Sequence, residues 1–106
     1  MSRIDQINQL LHSELADLAQ QYIQIDGVLI TITQVECSPD LKRAKIFVSV
    51  LPDKFFGTAL KELRKHSKLF IKKLGRLNLR STPRLEWTID SREKKAAEIE
   101  DILKQI

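Results

Sequence analysis

Lys61, Lys65, Lys68 and Lys72 recur at intervals of four, three and four residues, and Arg76 continues the series. On a helix this spacing lines the cations up on one side. Such a line suits the holding of phosphates, not the transfer of protons. The stretch from Lys54 to Arg84 carries ten Lys or Arg and a single acid, Glu62. Acids supply 14 of the chain's 32 charges, so even mixing would place roughly five among these eleven. A deficit of this size asks for a polyanionic partner. The plain alternative is a solvated helix face, but such a face mixes signs in i,i+4 pairs. This one does not.

Catalytic chemistry finds little support. His12 and His66 fall on different helices with no Cys, Asp or Glu pattern beside them. The spacings of zinc proteases, nucleophile elbows and phosphate-binding loops are missing. No catalytic residue, metal ligand or cofactor is expected, and a small hydrolase is the weakest reading. Cys37 is the only cysteine, so neither an internal disulfide nor a cysteine metal site can form. Trp87 could stack on a base, but it alternates with Leu85 and Ile89 and reads as core. Asp90 ends a strand and, with Glu93, reads as a helix-capping box.

Several elements must position the basic stretch. Ile4, Ile7, Leu11, Leu15, Leu18 and Tyr22 step by three and four, which predicts a helix over 2–22 with Ser2 and Asp5 as its capping box. Val28 to Glu36 and Arg43 to Leu51 read as strands of an antiparallel hairpin, joined by a turn rich in Ser, Pro and Asp. Ala44, Ile46, Val48 and Val50 share one face of the second strand, expected to meet the helices. Helical periodicity then runs from Lys54 to about Leu79. Leu60, Leu63, Phe70, Leu74 and Leu77 gather opposite the lysine line. A helix of that length is unusual in so short a chain, so a break is expected within it. Gly57, Gly75 and His66-Ser67 are the candidates, and the residues alone do not choose. Leu85, Trp87 and Ile89 mark a third strand after Thr82-Pro83. An acid-rich last helix is expected from Ser91.

With 106 residues and a net charge of +4, the chain reads as one domain over 1–106. The N-terminus is polar, unlike a signal peptide, and no apolar run reaches membrane-spanning length. A cytoplasmic, monomeric protein is expected.

Three stretches together resemble the ribosome-binding factor A family: Arg3-Ile4 in the first helix, VECSPDLKRAKIFVSV, and LGRLNLRSTPRLEWTID. The resemblance covers nearly the whole chain. It implies an α+β fold, a type II KH-like domain in the order α-β-β-α-(kink)-α-β with a C-terminal helix. The three-stranded sheet would carry its helices on one face. It implies binding to 16S rRNA of the small (30S) ribosomal subunit, late maturation and rRNA processing, and a role in cold adaptation. It also implies release by a ribosome-associated GTPase. The family has an interhelical kink, usually Ala-x-Gly, where this chain reads Ser67, Lys68 and Leu69. A basic C-terminal tail found in many members is expected to be lacking here. The candidate RNA contacts are Lys61, Lys65, Lys68, Lys72, Lys73, Arg76, Arg80 and Arg84, with Lys42, Arg43 and Lys45 of the hairpin behind them. The other reading is a general KH-type RNA-binding or protein-interaction adaptor using the same basic helical face.

Overall fold

A computed structural model describes residues 2–79 and 82–90. Its elements are α1 (Arg3–Tyr22), β1 (Leu29–Cys37), β2 (Arg43–Leu51), α2 (Phe56–Leu74) and β3 (Arg84–Ile89). Single 3-10 turns flank α2 at Asp53–Phe55 and Gly75–Leu77. The helix expected from Ser91 lies outside the described residues. No helix among those described is long and apolar enough to cross a membrane.

The first helix starts as its sequence dictates. Ser2 Oγ accepts from the Asp5 amide, and the Asp5 carboxylate accepts from the Ser2 amide, which satisfies two otherwise orphaned donors. Leu11, Leu15 and Leu18 are then buried on the side facing the sheet.

The sheet order is β1-β2-β3, with β1 antiparallel and β3 parallel to β2. Ala44, Ile46, Val48 and Val50 of the central strand are all buried, as their alternation predicts. In β1 the alternation is interrupted. Ile32 pairs with Val48 and Gln34 with Phe47, leaving Thr33 as an extra residue. This bulge shifts the strand by one position. Ile32 and Val35 both face the core as a result, and Gln34 and Glu36 stay out of it.

β1 is an edge strand, and α1 ties into its outer rim. The Nε2–H of His12 donates to the Ile32 carbonyl at 2.8 Å, and Asn8 Oδ1 accepts from the Cys37 amide at 2.8 Å. Occupied edge groups are unavailable to another strand. His12 therefore has a structural task.

The second helix departs from expectation. No boundary falls at Ser67, Lys68 or Leu69, and one α-helix runs through them to Leu74. Residues 58–74 contain neither Gly nor Pro, so nothing interrupts the backbone ladder. Ser67 sits within it, its hydroxyl donating to the Leu63 carbonyl one turn back at 3.1 Å, a bond the helix accommodates without a break. The run ends at the Gly75–Leu77 turn, where Asn78 takes left-handed backbone (φ 54°). Asn tolerates that conformation better than other residues with a Cβ.

Ser67 also accepts from Trp87 Nε1 at 2.7 Å, which joins α2 to β3. Trp87 is 6% exposed and stands edge-on to Phe70, with ring centroids 6.1 Å apart. Ser67→Ala should leave this indole N–H without its acceptor and lower stability by about 1–3 kcal/mol. Urea unfolding followed by Trp87 fluorescence reads the loss. An unchanged midpoint would mean that water replaces the hydroxyl at no cost.

Candidate nucleic-acid interface

The phase of α2 is set by what it buries. Ala59, Leu63, Phe70 and Leu74 are buried, and Leu60, Ile71 and Leu77 pack partly against the core. The opposite side of the helix is thereby fixed toward solvent. Lys61, Lys65, Lys68 and Lys72 are all exposed on it. At 100° per residue they fall within about 60° of one another, and eleven residues of rise spread them over about 16 Å. The helix expected to break in the middle of this row is continuous, so the whole row is carried on one helix. Arg64, also exposed, borders it and belongs with it. Its helical angle was the signal that would have included it among the candidates.

Glu62 does not neutralise the row. Its carboxylate turns toward His66, Oε2 to Nδ1 4.0 Å, and the Nδ1–H donates to the Glu62 carbonyl at 2.8 Å. His66 is half-buried beside Tyr22 and Phe70, with centroids 6.5 and 6.0 Å away. It therefore fills space between α1 and α2 and does not stand among the lysines.

The remaining candidates separate. Arg76 forms an ion pair with Glu14 of α1, so part of its charge is already answered. Lys73 is exposed but sits roughly 100° round the helix from the row, toward the His66 side. Arg80 lies outside the described residues. Lys42, Arg43, Lys45 and Arg84 are exposed on the sheet and its turn. Arg43 reaches Glu86 at 3.8 Å, and Lys45 stands over the Phe47 ring at 5.7 Å. Both alternate with the buried Ala44 and Ile46, so they project from the sheet face away from the helices. The structure does not gather hairpin and helix cations into one site. It makes two basic regions.

At the hairpin turn the polar groups bond to one another. The Ser38 hydroxyl and the Lys42 amide both donate to Asp40, holding its carboxyl below the usual range. Burial pushes the Cys37 thiol up, which disfavours the reactive thiolate.

A family model described as Ribosome-binding factor A matches residues 3–103. A protein of that description from Akkermansia muciniphila is 29% identical over 105 residues, covering 98% of this chain and 84% of the relative. The crystal structure of ribosome-binding factor A from Thermus thermophilus superposes with a TM-score of 0.73 at 22% identity, over 83% of this chain and 97% of that one. A Thermus thermophilus ribosome-binding factor A homology model, fitted into the cryo-EM map of a 30S–RbfA complex, gives 0.64 at 23% identity, over 76% and 88%. These likenesses show the fold, an α+β arrangement of KH-like type.

Proposed function

Since the chain belongs to the ribosome-binding factor A family, we propose that it binds the small ribosomal subunit through 16S rRNA and assists its late maturation and rRNA processing. The observation that carries this reading is the row Lys61, Lys65, Lys68 and Lys72, carried on one helix, exposed, and in no ion pair among the described residues. A row of ammonium groups on a rigid helix reads the phosphate backbone and its spacing, not base identity. Arg64 and Lys73 flank it, Arg76 contributes in part, and Arg80 and Arg84 follow in the chain. Lys42, Arg43 and Lys45 form a second, outlying region. The Thermus thermophilus relative in a 30S–RbfA complex supports the choice of partner. A single KH-like RNA-binding domain over 1–106 acts as a monomer in the cytoplasm, is needed most in the cold and is released by a ribosome-associated GTPase. It is a binding factor and carries out no catalysis.

The test is sedimentation of cell extract on a gradient. The protein should travel with free small subunits and be missing from full ribosomes. Its affinity for purified small subunits should fall with salt, log K against log[salt] having a slope of roughly −3 to −4 for four phosphate contacts. Co-sedimentation that survives high salt, or binding retained after nuclease digestion of the rRNA, would move the function to a protein adaptor.

A further inference from the structure

Two described residues other than glycine have left-handed backbone, Leu41 (φ 59°) and Asn78 (φ 54°). Both line the same cleft, of about 310 Å³. It opens between the N-terminal half of α1, the β1–β2 turn and the segment that follows α2. Leucine is rarely held in this conformation, and unusual backbone gathers where a site needs a particular shape. None of the α2 lysines lines the cleft.

The walls are apolar. Ile7 and Leu10 come from α1, Leu41 from the turn, and Leu79 and Pro83 from the far side. Leu10 is 39% exposed, unusual for a leucine on a helix that buries its neighbours. Gln6 and Asn78 add carboxamides, each able both to donate and to accept. Arg3 adds a guanidinium. One further cation, Lys42, follows Leu41 in the turn. The Lys42 carbonyl accepts from the Arg84 amide at 2.8 Å, which ties the turn to the start of β3.

A ligand matching this site has flat apolar faces, a hydrogen-bonding edge and negative charge attached. An apolar protein side chain matches only the first. We propose that the cleft takes one unpaired nucleobase of the bound RNA, with the adjoining phosphates lying on Arg3 and Lys42. This rests on the reading of α2 as an RNA-binding face. It adds base contact to a row of lysines that reads phosphate alone.

The test follows the methyl groups of Ile7, Leu10 and Leu79 by NMR while AMP, GMP, CMP or UMP is added to the full chain. At least one nucleotide should shift them saturably, and ribose 5-phosphate should not. Leu10→Trp, at a half-open position, should abolish the shifts and weaken single-stranded oligonucleotide binding about tenfold, with the salt slope unchanged. Asn78→Gly keeps the left-handed backbone and deletes the carboxamide, so it should flatten any preference among the four nucleotides. The nucleotide shifts should persist in a chain with Lys65 and Lys68 reversed to Glu, so the cleft and the lysine row stand or fall separately. The proposal is overturned if no nucleotide moves these methyls, or if ribose 5-phosphate moves them equally. It is also overturned if Leu10→Trp weakens binding to small subunits when the methyls ignore every nucleotide, because a protein group would then be the occupant.

Discussion

A chain carrying Lys61→Glu, Lys65→Glu, Lys68→Glu and Lys72→Glu together should lose small-subunit binding by at least about a hundredfold at moderate salt. Each lysine contributes a phosphate contact whose counterion release steepens the salt dependence by roughly 0.7–0.9. Removing four of them should flatten the slope by about 3, and the reversed charges add repulsion. Folding should survive, because all four side chains are exposed and none is in an ion pair among the described residues. Circular dichroism and thermal unfolding check that the fold is kept, and filter binding across a salt series checks the slope. Reversing Arg76 in place of one lysine is a poorer experiment. It would set Arg76→Glu against Glu14 and disturb the α1–α2 contact as well as the charge. Retained affinity in the fourfold variant would remove the basis for the proposed interface.

Phe70→Ala should damage the fold far more than Ser67→Ala. Phe70 is fully buried, and its ring lies within 6.2 Å of the centroids of Tyr22, His66 and Trp87. It thus joins α1, α2 and β3 through one side chain. Truncation of a buried Phe costs about 3–5 kcal/mol, against a total of about 5–15 for a native protein. For a chain of this size each kcal/mol moves the thermal midpoint by about 4–8 °C. The variant should therefore melt at least about 12 °C lower, with Trp87 more exposed to quenchers. A smaller drop would mean that the helices close over the cavity.

What could be read in advance depended on how local the deciding interaction is. The capping box of Ser2 and Asp5, the buried face of β2 and the core place of Trp87 follow from neighbours in sequence, and all three are present. The bulge in β1 was not legible. Strict alternation would have sent Ile32 and Gln34 to the same face, and only pairing with β2 shows that Thr33 is the surplus residue. The division of the long helix at Ser67 was expected from the usual Ala-x-Gly of the family. Here Ser67 bonds to Leu63 and Trp87 instead, and the second bond depends on a residue 20 positions away. For the candidate interface, the periodicity of α2 correctly grouped Lys61, Lys65, Lys68 and Lys72. It could not show that Arg76 meets Glu14 across 62 residues. Nor could the pattern of β2 show that Arg43 reaches Glu86, although its alternation already set Lys45 on the face opposite Ala44 and Ile46.

The parallel pairing of β3 with β2 has a consequence for how the chain is made. A hairpin can close as soon as its second strand is complete, but a parallel partner needs a long crossover, here all of α2. Once the chain through Leu51 is clear of the ribosome, α1 and the β1–β2 hairpin have their mutual contacts within reach. The lysine-bearing helix emerges next, ahead of Trp87. Its apolar side has α1 and the hairpin to rest on, but the contacts to β3 wait for the last strand. Translation therefore assembles the scaffold first and fixes the cation row last.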